Sequence, residues 1–120
     1  MVFGCGGDRD RAKRPQMAKI AEQYADRVIL TADNSRKEST KNIISDIIQG
    51  FERGSYEIKE NREDAIRSAI IGAKDGDIVA IIGKGPEKYN IDSNGYHPFD
   101  EREIINNALA ERRRGSKDEN

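Results

Sequence analysis

Thiol and imidazole chemistry are almost missing from this 120-residue chain, which has one cysteine, Cys5, one histidine, His97, and no tryptophan. A single thiol excludes an internal disulfide and a paired-cysteine redox motif. One Cys and one His cannot make a transition-metal cluster of N and S ligands, and a Ser/His/Asp or Cys/His nucleophilic site would have to use His97, which reads instead as a surface residue of a hairpin. No run approaches the ~18 apolar residues a membrane helix needs, and no basic segment followed by an apolar one opens the chain. Export and membrane insertion are therefore unsupported, and a cytoplasmic setting is expected. Neither sign of charge dominates, with 21 basic against 22 acidic residues, so no long-range field draws the chain to nucleic acid or to an anionic membrane. Complete phosphate motifs are missing as well. Gly83-Lys84-Gly85 lacks the spacing of a Walker A loop, and no G-x-G-x-x-G follows the first strand. No catalytic residue and no metal ligand is assigned.

What is present is an alternation of periods over one domain's length of chain. Val2 to Cys5 reads as a short buried strand, and Pro15 opens a helix with Met17, Ile20, Ala21 and Tyr24 on one face. Val28 to Leu30 is a second strand, followed by a polar loop from Ala32 to Glu38. A helix from Ser39 or Thr40 carries the stripe Ile43, Ile44, Ile47, Ile48 and Phe51. Tyr56 to Lys59 makes a weak third strand, and Asn61 caps a helix with Ala65, Ile66, Ala69, Ile70 and Ala73 on one side. Ile78 to Ile82, five apolar residues in a row, predicts a central parallel strand covered on both faces. Tyr89 to Ile91 and Tyr96 to Phe99 flank Asn94-Gly95, a hairpin signal. Asp100 with Glu103 resembles a capping box for a last helix burying Ile104, Ile105, Ala108 and Leu109. The order predicts an α/β three-layer, Rossmann-like domain with a mainly parallel sheet and an antiparallel edge hairpin. The polar segment Arg112 to Asn120 is expected to be a disordered tail.

Three of these strands end in charged or small residues: Gly4 to Asp10 (GCGGDRD), Asp33 to Arg36 (DNSR) and Gly83 to Glu87 (GKGPE). In a parallel sheet such loops share one rim, where ligands collect. Arg9 and Arg36 suit carboxylates, which a guanidinium grips through two parallel N–H bonds, while Asp33 and Glu87 suit an ammonium group. The set is complementary to an amino acid with more than one charged end. A plainer reading stands beside it: Gly6 and Gly7 as a tight strand-to-helix turn, Asp33 and Asn34 as turn formers, Lys84 as a solvated charge.

Phe3 to Pro15 (FGCGGDRDRAKRP), Thr31 to Arg36 (TADNSR), Ile82 to Tyr89 (IGKGPEKY) and Phe99 to Glu103 (FDERE) together resemble the carboxy-terminal domain of Mur ligases, in particular the branch that adds the third amino acid to UDP-N-acetylmuramoyl-L-alanyl-D-glutamate. The resemblance implies an ATP-dependent, amide-forming ligase of peptidoglycan synthesis, with ATP and Mg used by the full-length enzyme and no complete site for them in this chain. In that family a carboxylate is activated as an acyl phosphate, and the carboxy-terminal domain delivers the amino acid whose amine attacks it. By motif position, Arg9 would bind a carboxylate of that amino acid, Asp33, Asn34 and Arg36 would recognise its side-chain end, and Gly83 and Glu87 would hold an amino group. An arginine at the Arg36 position implies meso-diaminopimelate.

Two residues depart from the family pattern. Ser35 replaces a usual proline and is expected to loosen the recognition loop, and Pro86 replaces a usual histidine, removing a titratable group. The family's amino-terminal and central ATPase domains, and the first strand and helix of the carboxy-terminal domain, have no counterpart here. Residues 1–111 are thus expected to be an amino-acid-binding domain of a longer enzyme, or of a truncated relative, with a sheet edge exposed to dimerisation or aggregation. A non-catalytic module binding an amino acid or cell-wall peptide, or a purely structural interaction domain, remain as alternatives.

Overall fold

A computed structural model describes residues 1–7, 11–83 and 88–118, with side chains as far as residue 114. Four strands, β1 (Val2–Phe3), β2 (Ile29–Leu30), β3 (Glu57–Ile58) and β4 (Ile81–Ile82), form a parallel sheet in the order β3-β2-β1-β4. The register aligns Val2 with Ile29 and Ile81, and Phe3 with Leu30 and Ile82. Because side chains alternate across a strand, this register sorts the core into two layers. Val2 and Ile29 face α3 (Arg62–Ile71) and α4 (Glu101–Asp118), packing with Ala65, Ile66, Ala69, Ile70, Ile104 and Ala108. Phe3 and Leu30 face α1 (Lys13–Tyr24) and α2 (Thr40–Ile48), packing with Ala18, Ala21, Val28, Ile43, Ile44 and Ile47. Each of the large side chains stabilises the fold by roughly 1.5–3 kcal/mol on burial.

The helix starts follow from capping chemistry. Ser39 accepts from Asn42 N, Asn61 accepts from Asp64 N at 3.0 Å, and the Asp100 carboxylate accepts from Glu103 N at 3.3 Å, each satisfying an amide that has no partner within its helix. Pro15 lies in the first turn of α1, two residues inside its start. The buried face of α1 is the expected one only in part: Ala21 is buried and Met17 packs against the core as read, but Arg14 and Ala18 complete the face, and Ile20 is 50% and Tyr24 74% exposed. The cause is close packing on the segment after α2, where a Cβ on Gly50 would overlap the Pro15 carbonyl and stand 2.8 Å from Ala18 Cβ. Only small residues fit so tight a contact.

Three further expectations are corrected. The apolar run Ile78 to Ile82 forms only the two-residue strand β4, at the edge of the sheet and not its centre, and Ile78 is 92% exposed. Such a run indicates a strand suited to cover on both sides, but among the described residues β1 alone pairs with it, through bonds such as Val2 N to the Ala80 carbonyl at 2.8 Å. The antiparallel hairpin, β5 (Tyr89–Asp92) and β6 (Gly95–Pro98), is a two-stranded sheet of its own. Its turn residues are Ser93 and Asn94, and the positive φ of 113° falls on Gly95, which pairs with Asp92. Finally, α4 runs on to Asp118 through much of the segment expected to be a disordered tail, and Arg112 donates to the Ala73 carbonyl and to Asp75. Acidic residues in its first turn and arginines toward its end both suit the helix dipole.

Candidate functional site

All four strands are parallel, so the segments that follow them emerge at one end of the sheet. The loop after β1 packs directly on the loop after β2. Gly7 N donates to the Asn34 carbonyl at 2.7 Å, and a Cβ at Gly7 would overlap the Ser35 carbonyl. The close approach that glycine permits here is therefore used loop against loop.

The loop after β2 is pinned from several sides. Asn34 is buried, and its side-chain oxygen accepts from Ile91 N at 3.0 Å while Arg36 N donates to the Ile91 carbonyl at 3.0 Å. The hairpin thus docks on this loop through one residue of β5. Ser35, expected to loosen the loop, is buried with its carbonyl accepting from Glu38 N. Arg36 takes φ 55°, the left-handed region that costs a non-glycine residue energy. Its Nη1 donates to the carbonyls of Gly7 and Asn34, at 3.1 and 3.2 Å. Nε and Nη2 of Arg36 have no hydrogen-bond partner among the described residues. Asp33 accepts from Asn34 N through Oδ1 at 2.8 Å, and its Oδ2 lies 2.7 Å from where a Cβ on Gly83 would stand. Gly83 has φ 117°, so a side chain there would meet both strain and the Asp33 carboxylate.

The structure thus brings Asp33, Asn34, Arg36 and Gly83 together at the rim. Arg9 and Glu87, and the Pro86 substitution, lie outside the described residues. Among the described residues no group of three His, Cys, Asp or Glu could hold a metal ion. His97 pairs with Asp92 at 2.8 Å on the exposed hairpin.

Two buried arginines that the sequence reading passed over hold the rim. Arg14 is 1% exposed; it binds Glu38 through both terminal nitrogens at 2.7 and 2.9 Å, Asp46 at 2.9 Å and the Gly6 carbonyl at 3.1 Å. Hydrogen bonding to Glu38 holds the Arg14 pKa above its ordinary value, and the Arg11 guanidinium, with Arg14 behind it, pulls the Asp46 carboxyl below its own. Arg62 is 3% exposed and bonds Glu101, the Ala32 carbonyl and the Ile82 carbonyl. Both arginines lie in the first turn of a helix, where the dipole disfavours a cation. That misplacement was the available signal. Cys5, beside Arg14, is partly buried, and burial raises its thiol pKa, the opposite of an activated nucleophile.

Two concavities of about 560 and 540 Å³ lie elsewhere, flanking β4 toward the other end of the sheet and sharing no residue with the rim. We assign the site to the rim, because the polar groups of three loops converge there, whereas the concavities mix apolar residues of the helices and of the segment before β4 with charged residues such as Asp77, Arg27 and Arg112.

The family model for "Mur ligase, glutamate ligase domain" matches residues 1–85. The chain belongs to the Mur ligase family. It is 47% identical over 110 residues to a UDP-N-acetylmuramoyl-L-alanyl-D-glutamate--2,6-diaminopimelate ligase of Clostridium botulinum, covering 92% of this chain and 23% of that protein. It is 52% identical over 103 residues to the ligase of the same name from Listeria monocytogenes, covering 85% and 21%. A solved structure of an enzyme of that name superimposes with a TM-score of 0.86 at 41% identity, over 93% of this chain and 23% of the other. The chain therefore spans under a quarter of the length of these relatives. The solved structure supports the α/β, mainly parallel architecture read from the alternation of elements.

Proposed function

We propose that this chain is the amino-acid-binding, carboxy-terminal domain of an ATP-dependent ligase of peptidoglycan synthesis, and that it holds the incoming amino acid, meso-diaminopimelate, at the rim. The observation that carries this reading is the convergence of Asp33, Asn34, Arg36 and Gly83 on one end of the sheet. Arg36 is tethered through a single nitrogen to backbone carbonyls, which leaves an edge of its guanidinium for a remote carboxylate. Asp33 Oδ2, beside the small Gly83, suits an ammonium group. A diamino dicarboxylic acid needs both, and the relatives' names specify 2,6-diaminopimelate.

The chain supplies binding and orientation in this reading. ATP and Mg, which a ligase of this family would use, find no complete site among its described residues: no acidic cluster suits a metal ion, and the glycine segments lack Walker A spacing. We assign both to the rest of a longer enzyme, working in the cytoplasm; no helix among the described residues is long and apolar enough to cross a membrane.

Calorimetric titration with meso-diaminopimelate and L-lysine tests the reading. Lysine lacks the remote carboxylate, and a hydrogen-bonded charge contributes about 1.5–3 kcal/mol, so diaminopimelate should bind at least ~10-fold tighter. Arg36→Ala should abolish that preference. Equal binding of the two amino acids, or a preference that survives Arg36→Ala, would sink the assignment of Arg36.

A further inference from the structure

Arg62 opens α3, and its side chain is 1% exposed. Nε donates to Glu101 Oε2 at 3.0 Å, Nη1 to the Ala32 carbonyl at 3.0 Å, and Nη2 to the Ile82 carbonyl at 3.2 Å. Ala32 is the residue before Asp33, and Ile82 is the residue before Gly83. One planar guanidinium therefore spans the two loops that the proposed function places on either side of the amino acid, while Glu101 in the first turn of α4 fixes its plane. The cost of burying a charge, and of placing it at the positive end of a helix dipole, makes this an uneconomical way merely to pack a helix.

We propose that Arg62 is a positioning residue that sets the separation between the Asp33 loop and the Gly83 loop, with Glu101 aiming it. The inference deepens the amino-acid reading and rests on it for its consequence in binding. With Asp33 Oδ2 only 2.7 Å from the position a Gly83 Cβ would take, a drift of about an ångström between the loops changes what that carboxylate can reach. Lysine cannot substitute for Arg62. Its single ammonium has no planar fork to meet two carbonyls and a carboxylate arriving from three segments. The motif Phe99 to Glu103 thereby gains a role, since its Glu101 is the anchor of the brace.

The test uses the whole chain and two readouts. Without ligand, the nuclear Overhauser cross-peak between the Gly83 α protons and the Asp33 β protons reports loop separation. With meso-diaminopimelate, titration reports affinity. Arg62→Lys should keep a dispersed spectrum, lose the cross-peak and bind at least tenfold more weakly. Glu101→Gln, which leaves both carbonyl bonds possible, should lose less than threefold. Ile47→Val, in the opposite core layer, should lower stability yet keep both cross-peak and affinity. Should Arg62→Lys not fold, Glu101→Ala frees the guanidinium from α4 and should weaken the same cross-peak. If the unaltered chain fails to bind diaminopimelate, the amino-acid reading falls while the cross-peak still decides the positioning role. Retention of the cross-peak in both Arg62→Lys and Glu101→Ala, or an affinity loss in Arg62→Lys no greater than in Ile47→Val, overturns the proposal.

Discussion

The two ends of the parallel sheet use the same arginine bonds at different depths, buried at one end and exposed at the other. At the carboxyl end, buried arginines bond loop carbonyls and carboxylates, and glycines let the loops touch. At the amino end, toward Met1 and Ile78, arginines also bond carbonyls and carboxylates, Arg27 with Ser68 and Glu57 and Arg112 with Ala73 and Asp75. Their side chains, however, are 44% and 25% exposed against 1% for Arg14 and Arg62, and they border concavities beside apolar residues such as the exposed Ile78. Buried charge at the first end is costly to keep and costlier to break, because each arginine holds several acceptors at once. Exposed isoleucine at the second end contributes little to the fold of this chain. Buried polar order is what favours the rim over the amino end as the proposed site.

Substitutions at the two ends should differ accordingly. Arg14→Met fills the same space but removes the bonds to Glu38, Asp46 and the Gly6 carbonyl; because the carboxylates keep some solvent contact, the expected loss is about 2–3 kcal/mol, below the usual range for breaking a fully buried pair, read as the shift in urea unfolding. Gly7→Ala forces a methyl group into the Ser35 carbonyl, and the loops must part, at about 1–3 kcal/mol. Amide exchange should quicken at Asn34 and Arg36 and leave α3 unchanged. Acid should act on the Arg14 side through Asp46. The folded pKa of Asp46 lies below its ordinary value, so its contribution is fully present above the unfolded carboxylate range, near 4, and is lost as pH falls through the folded value. Stability curves of the chain and of Asp46→Asn should therefore converge on acidification; parallel curves would count against the ion pair. Smallest of all, Ile78→Lys at the open edge should change stability by no more than about 0.5 kcal/mol, since its side chain is 92% exposed.

Much of this molecule is legible in its sequence, for identifiable reasons. Stripes such as Ile43, Ile44 and Ile47, and caps such as Asn61, depend only on neighbours in the chain, and they form as read. The parallel architecture follows from the alternation of elements. The place of Ile78 to Ile82 does not, because an apolar run records what a strand suits and says nothing of which strand lies beside it. On α1, Ala21 and Met17 face the core as read, but Ile20 and Tyr24 do not, because contact with Gly50 favours alanine there. At the rim, loop composition pointed to Asp33 and Arg36, with Arg9 and Glu87, and the family resemblance added Asn34 and Gly83, but the tasks of Arg14 and Arg62 depend on carbonyls 8 to 30 residues away. Only their location against the helix dipole gave a local sign.

The measurement that tests the central claim most directly is a backbone amide NMR titration of the chain with meso-diaminopimelate, because it reports which end of the sheet responds. The account predicts saturable shifts at Asn34, Arg36 and Gly83, with Ile78 and Val79 unmoved. Shifts confined to Ile78, Val79 and the residues lining the two concavities, or no saturable shift in the folded chain, would contradict it.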